Sequence, residues 1–152
     1  MKQLLITIAA VVLVGCGPKA PDISIQDATV LAKIEIIKQH IAAGTDINEK
    51  DSYDRTPLLC TITQGHEEIA KLLIAEGADV NAKKNGQTLL HAAATFDRKV
   101  IAELLIANGA EVNAKDDDDR TPLDYALRTF STRELLRKHG AKTGEELKAE
   151  GK

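Results

Sequence analysis

The strongest constraint on the fold of this chain is a segment that recurs about every 33 residues. A motif that reads Gly-Ala-x-Val-Asn, with small variations, recurs at 44–48, 77–81, 109–113 and, shortened, 140–142. A second motif keeps the same register at 54–58, 86–90 and 119–123. A fixed period of this length is typical of repeat proteins, in which each unit buries its apolar face only by stacking on its neighbours.

Each period carries the signals of two helices. Thr56 can cap a helix N-terminus, and Pro57 suits the first helical position, where the missing N–H costs nothing. Residues 67–76 place apolar side chains on one side of a second helix. Gly77 and Gly109 supply the left-handed residue that ends such helices. Since aromatic residues make up only 3% of the chain, we expect a core of aliphatic side chains, which suits packed helices.

The two motifs resemble those of the ankyrin repeat, in which Thr-Pro-Leu-His-x-Ala-Ala opens the first helix and Leu-Leu-x-x-Gly-Ala-x-Val-Asn closes the second. The resemblance covers about residues 22–145. It implies an all-α solenoid of about four helix-turn-helix units with β-hairpin tips and degenerate end repeats. We expect the repeat domain at 23–145, followed by a polar C-terminal tail at 146–152, and we place its units approximately at 23–53, 54–85, 86–118 and 119–145.

The first sixteen residues have a different character. Lys2 precedes an apolar run from Leu4 to Val14, which as a helix would reach about 16 Å and is too short to span a bilayer. A basic start, a short apolar run and small residues before a cut site are typical of a secretory signal peptide. The segment Leu13-Val14-Gly15-Cys16 resembles the bacterial lipobox. This resemblance implies a signal peptide at 1–15, lipidation of Cys16 and a tether at 16–22; the alternative is an ordinary signal peptide.

Lipidation of Cys16 predicts a place in the bacterial cell envelope, either facing the periplasm or exposed at the surface. Several acyl chains on one residue hold a domain at a membrane firmly. Gly17 rather than Asp follows the cysteine, which favours the outer membrane if the source has two membranes. Lipidation of Cys16 would also leave Cys60 without a disulfide partner, so we interpret Cys60 as a small buried hydrophobic residue.

No pattern of catalytic or metal-ligating residues stands out. His66 and His91 occupy positions that are structural in ankyrin repeats, and no two histidines lie four residues apart. The run Asp116–Asp119 lacks the ligand spacing of a calcium loop, so we expect a solvated acidic tip, with divalent-metal binding as the weaker alternative. Basic residues are scattered and the net charge is −3, which argues against nucleic-acid binding. We expect neither an enzyme nor a cofactor.

Ankyrin proteins bind partners through the concave face formed by the hairpin tips and the ends of the first helices. Carried over by register, this resemblance implies a partner-binding surface whose charge is mixed at the first tip, basic at the shorter second tip and acidic at the third. Tyr53 and Phe96 stand out, because buried aromatic anchors commonly dominate interface energies; the alternative is that they pack within the array. The expected binding residues are Tyr53, Arg55, Lys84, Gln87, Phe96, Asp117, Asp118, Arg120 and Arg128.

These features together predict a monomeric, membrane-anchored lipoprotein that binds another protein in the bacterial envelope. A structural envelope protein without a specific partner is the alternative.

Overall fold

The computed structural model describes residues 19–127 and 130–151, so Cys16 and the predicted signal peptide lie outside the described residues. Its helices are α1 (Ile25–Val30), α2 (Ile34–Ala42), α3 (Pro57–Gln64), α4 (Glu67–Ala75), α5 (Leu89–Thr95), α6 (Lys99–Ala107), α7 (Pro122–Tyr125), α8 (Phe130–Lys138) and α9 (Gly144–Ala149). The strands β1 (Lys83–Lys84) and β2 (Gln87–Thr88) pair antiparallel. The expected all-α solenoid of paired helices is confirmed. Within the described residues, no helix is both long enough and apolar enough to cross a bilayer.

The predicted start and stop signals act as expected. The Thr56 hydroxyl accepts a hydrogen bond from the Leu59 N–H (3.2 Å), with Pro57 in the first turn of α3. Helix α6 ends before Gly109, whose φ of 90° needs no Cβ, and the Ala110 N–H then donates to the Leu105 carbonyl oxygen (2.9 Å). The same turn closes α4 and α8, so these second helices end with the same hydrogen-bond pattern.

The helices form two rows that share one aliphatic core. In the first row α1 packs on α3, α3 on α5 and α5 on α7, and in the second row α4 packs on α6 and α6 on α8. The largest fully buried apolar side chains come from most of these helices: Ile37, Leu58, Ile62, Leu73, Leu89, Leu90, Ile101, Leu105 and Leu136. Each pair of helices therefore buries its apolar face against its neighbours, as the repeat period predicts.

An asparagine in each of three repeats bonds to the backbone of the next repeat. The Asn81 Oδ1 accepts from the Glu111 N–H (3.1 Å), while its Nδ2 donates to the Gly109 carbonyl oxygen (3.1 Å). Asn48 and Asn113 make the equivalent pairs of bonds to Asp79 and Gly77, and to Lys142 and Gly140. These side chains align each repeat with its neighbour in one orientation.

Three loops, which we call tips, project from the first-helix side: the first tip at 50–55, the second at 83–88 and the third at 115–120. The first and third tips are hydrogen-bonded turns that place Asp54 and Asp119 at positive φ (58° and 62°). The second tip is a two-residue hairpin in which Asn85 and Gly86 have φ of 50° and 76°, the pattern of a type I′ turn. The connection from Asn81 to Thr88 is one residue shorter than those from Asn48 to Thr56 and from Asn113 to Thr121, as predicted, and among the described tips the second alone forms paired strands.

Helix α9 begins in the fourth predicted unit and continues past residue 145 into the predicted polar tail. Thr143 caps it by accepting from the Glu146 N–H (3.2 Å), and Glu146 accepts in turn from the Thr143 N–H (2.8 Å). The Arg137 guanidinium, together with the Thr143 N–H, lowers the pKa of Glu146 to about 2. A Cβ on Gly144 would lie 2.2 Å from the Asp119 carbonyl oxygen, so this close approach requires glycine. Leu147 is buried, and α9 thus covers the end of the last repeat.

Replacing Asn81 with alanine tests the bonds between repeats. Asn81→Ala removes two inter-repeat hydrogen bonds, so we expect a loss of about 1 to 2 kcal/mol in the free energy of unfolding. Urea denaturation followed by circular dichroism measures this loss. Asn108→Ala is the matched control, since Asn108 bonds only within its own helix, and it should change stability by less than about 0.5 kcal/mol. Equal losses in the two variants would contradict the role given to Asn81.

Candidate partner-binding cleft

A cleft of about 400 Å³ lies on the first-helix side of the array, between the first and second tips and helices α3 and α5. Its lining residues are Arg55, Leu59, Thr63, Lys84, Asn85, Gln87, Thr88, Leu89, Ala92, Thr95 and Phe96. Its volume falls in the range of about 300 to 1,000 Å³ that is usual for ligand sites. The structure therefore brings together four of the predicted binding residues, namely Arg55, Lys84, Gln87 and Phe96.

The two aromatic residues singled out from the sequence are exposed. Phe96, at the C-terminus of α5, borders the cleft and is 46% exposed. Tyr53, on the first tip, is 69% exposed and does not line the cleft. The Arg55 guanidinium lies 5.0 Å from the centre of the Tyr53 ring, a cation–π contact that orients both side chains. Large exposed aromatic rings of this kind can be buried by a partner.

Arg55 is held by an ion pair within its own tip. Its Nη2 lies 2.6 Å from Asp51 Oδ2, and the Asp51 Oδ1 accepts the backbone N–H groups of Tyr53 and Arg55 (2.9 Å each). Burial raises the pKa of the Asp51 carboxyl, but the Arg55 guanidinium and these N–H groups outweigh it and lower the pKa below its ordinary value. The charge of Arg55 is therefore largely compensated.

A hydrogen-bonded chain joins the second and third tips. The Gln87 Nε2 donates to the Tyr125 hydroxyl (2.6 Å), and that hydroxyl donates to the Asp116 Oδ2 (2.6 Å). Asp116 is only 8% exposed. Burial raises the pKa of Asp116, but the Tyr125 hydroxyl and the N–H groups of Arg120 and Asp118 outweigh it and lower the pKa to about 2. Gln87 thus fixes one tip against the next.

The acidic side chains of the third tip are spread apart. Asp116 points into the hydrogen-bonded chain, Asp118 pairs with Arg120, and the Asp117 carboxylate lies against Gly86, where a Cβ would meet it at 2.5 Å. Asp117, Asp118 and Arg120 do not line the cleft, and Arg128 lies outside the described residues. Within residues 19–127 and 130–151, no three His, Cys, Asp or Glu side chains are arranged to hold a metal ion.

His91, His40 and Cys60 take buried structural positions. His91 is fully buried; its Nε2 donates to the Arg120 carbonyl oxygen (3.1 Å) and its Nδ1 accepts the Thr88 N–H (3.1 Å). Burial lowers the pKa of His91, so the ring stays neutral. Burial also raises the pKa of the Cys60 thiol, which is 1% exposed and lies among core residues. His40 is likewise buried and contacts the Ile23 carbonyl oxygen (2.8 Å).

Sequence reasoning missed the cleft floor and Tyr125. Leu59, Leu89 and Ala92 line the cleft. Their spacing places them on the apolar sides of α3 and α5, but it does not show which apolar residues reach the cleft. Tyr125 lies 38 residues from its partner Gln87, so no local pattern reveals their contact. One available signal was that Tyr125 is the second of only two tyrosines in the chain.

Comparison with known proteins identifies most of the array as ankyrin repeats. Residues 26–116, more than half of the chain, match a family model described as ankyrin repeats in three copies. A Caenorhabditis elegans homolog of the transient receptor potential cation channel subfamily A member 1 is 32% identical over 83 residues, which cover 55% of this chain and 7% of that protein.

Two further relatives match shorter stretches. The mouse ankyrin repeat domain-containing protein 13B is 40% identical over 62 residues, or 40% of this chain and 10% of that protein. An ankyrin repeat-containing protein of Schizosaccharomyces pombe is 29% identical over 59 residues, or 38% of this chain and 28% of that protein. The chain thus spans less than a third of the length of these relatives.

The hydrogen bond from Tyr125 predicts an acid-sensitive contact. The pKa of Asp116 lies near 2 in the fold and at 3.8 in a model peptide, so its contribution to stability is complete above pH 3.8 and is lost as the pH falls towards 2. Tyr125→Phe removes one donor, and we expect the Asp116 pKa to move up towards 3.8 when carboxyl carbons are titrated by NMR. Tyr53→Phe removes the hydroxyl of the other tyrosine and should leave this pKa in place. An unchanged Asp116 pKa in Tyr125→Phe would show that the hydroxyl does not stabilise the carboxylate.

Proposed function

We propose that this chain, which belongs to the ankyrin-repeat family, is a bacterial envelope lipoprotein that binds another protein. The binding part follows from the family, because ankyrin repeats mediate protein–protein interaction. In this proposal the cleft and the adjacent Tyr53 form the binding surface. The lipid on Cys16 holds that surface at a membrane.

The exposure of Phe96 beside the cleft carries the binding half of the proposal. Its ring is 46% exposed at the end of a helix whose other large side chains are buried. A partner that covers this ring gains apolar burial without ordering the backbone first, because α5 is fixed between α3 and α7. Tyr53 adds a second aromatic ring, which Arg55 already orients.

The membrane half of the proposal rests on the lipobox-like segment at 13–16 and on the location of the other cysteine. Cys60 lies in the core and is 1% exposed, so Cys16 is the cysteine available for an acyl chain. Residues 16–22 then form a short tether, since α1 begins at Ile25. A tether of this length would keep the cleft close to the membrane surface.

Alanine substitution of the aromatic residues tests the binding surface. Phe96→Ala and Tyr53→Ala should each reduce recovery of the cross-linked partner from intact cells by at least about tenfold, because aromatic anchors carry much of an interface's energy. The measurement is quantitative mass spectrometry of the cross-linked product. Leu31→Ala is the control, as Leu31 is an apolar residue 59% exposed that does not line the cleft. The binding surface would have to lie elsewhere if all three variants recovered the partner equally.

Cysteine substitution tests the anchor. Cys16→Ser should move the protein from the detergent-extractable membrane fraction to the soluble fraction and abolish labelling by an alkyne-bearing fatty acid. Cys60→Ala is the control, and it should keep both the label and the membrane association. Labelling of Cys16→Ser at the level of the unsubstituted chain would rule out Cys16 as the acylated residue.

A further inference from the structure

We propose that the cleft recognises an extended peptide segment that presents an acidic side chain beside an apolar one. This inference rests on the proposed function, because it names the chemistry of the partner at the same cleft. It depends on an exchange of charge at the second tip.

Lys84 occupies the register position at which the other tips carry aspartate. Each tip follows an asparagine of the inter-repeat bonds, and the third residue after that asparagine is Asp51 in the first tip, Lys84 in the second and Asp116 in the third. The repeat therefore places a positive charge in the second tip where its neighbours place a negative one.

The partner of that aspartate is exchanged as well. In the first and third tips, the residue before the capping threonine is an arginine, and it pairs with the aspartate of the same tip at 2.6 Å (Arg55–Asp51) and 3.3 Å (Arg120–Asp116). Gln87 takes this position in the second tip and faces Lys84 across the strand pair. Both members of the internal ion pair are thus replaced, and a neutral amide stands opposite the lysine.

Lys84 consequently forms no ion pair with a carboxylate of the described part of the chain. No carboxylate of residues 19–127 and 130–151 lies within 4.0 Å of its ammonium group, whereas Lys50 pairs with Asp54 (2.8 Å) in the first tip. Lys84 is also partly buried and is one of the residues that line the cleft. An ammonium group that has no carboxylate within this distance can accept a carboxylate partner in a charge-assisted hydrogen bond.

The rest of the cleft selects for an apolar neighbour. None of its eleven lining residues is acidic, and Leu59, Leu89, Ala92 and Phe96 provide apolar surface next to Lys84. The short hairpin fixes the backbone of Lys84, while Gln87 is held by the Tyr125 hydroxyl (2.6 Å). An acidic side chain can therefore bond to the Lys84 ammonium while an adjacent apolar side chain packs against Phe96, with little ordering of the cleft.

Selection from a peptide library tests this specificity. The full-length chain, held in detergent micelles, is immobilised and exposed to random nonapeptides with acetylated N-termini and amidated C-termini, so that side chains supply every carboxylate. We expect the retained pool to be enriched about tenfold in sequences with Asp or Glu next to Leu, Ile or Phe, as a charge-assisted hydrogen bond provides. In Lys84→Glu the acidic preference should be replaced by Lys or Arg, while the apolar preference persists.

Lys83→Glu is the matched control, since it makes the same charge change on the adjacent exposed residue outside the cleft. It should select the same peptides as the unsubstituted chain, and thermal unfolding should show that both variants fold. Three results would each overturn the proposal. The first is that Lys84→Glu and Lys83→Glu select the same peptides, and the second is a retained pool without acidic residues. The third is that the chain retains only a second copy of itself.

The outcome separates this inference from the proposed function. Suppose that Phe96→Ala loses the partner or the peptides, but the retained peptides show no preference for acidic residues. This result would reject the proposed specificity and would still support the cleft as the binding surface. Failure of the proposed function itself would show as partner recovery that neither Phe96→Ala nor Tyr53→Ala reduces.

Discussion

The paired hydrogen bonds of Asn48, Asn81 and Asn113 set the geometry on which the rest of the array depends. Each asparagine spans the backbone between a helix-ending glycine and the second residue after it, so consecutive repeats are fixed in position and direction. Apolar packing alone does not provide this, because burial is non-directional and proportional to area. With the repeats aligned, the first helices and tips fall into rows, and the spaces between them become clefts of defined shape.

The second tip differs from its neighbours in a way that links stability to recognition. In the first and third tips an aspartate binds the N–H groups and the arginine of its own loop, so its charge is used to hold the loop in place. The second tip holds its shape by strand pairing and a two-residue turn instead. Because Asn85 and Gly86 supply that turn, the second tip holds its shape without an internal ion pair. The Lys84 ammonium is therefore not used to hold the tip in place.

Much of the fold could be predicted from the sequence, because the period, the threonine caps and the helix-ending glycines are local signals that repeat. The shortness of the second tip followed from the same register. The candidate site was predicted only in part: Arg55, Lys84, Gln87 and Phe96 share one cleft, whereas Asp117, Asp118 and Arg120 do not line it. Two long-range contacts could not be foreseen, namely Tyr125 with Gln87 and Gly144 with Asp119, since they depend on how distant elements pack. Helix α9 did have a local signal, the Thr143-x-x-Glu146 capping box, which the apparent polarity of the tail obscured.

The glycine at 144 has a meaning that emerges only from the register of the repeats. Asn48, Asn81 and Asn113 each lie four residues after a helix-ending glycine, and the residue four places after Gly140 is Gly144. The position that would extend the array by an asparagine therefore has no side chain at all, and the Asp119 carbonyl oxygen occupies the space beside it. The same residue therefore lacks the side chain that joins the other repeats and allows helix α9 to begin against the backbone of the third tip.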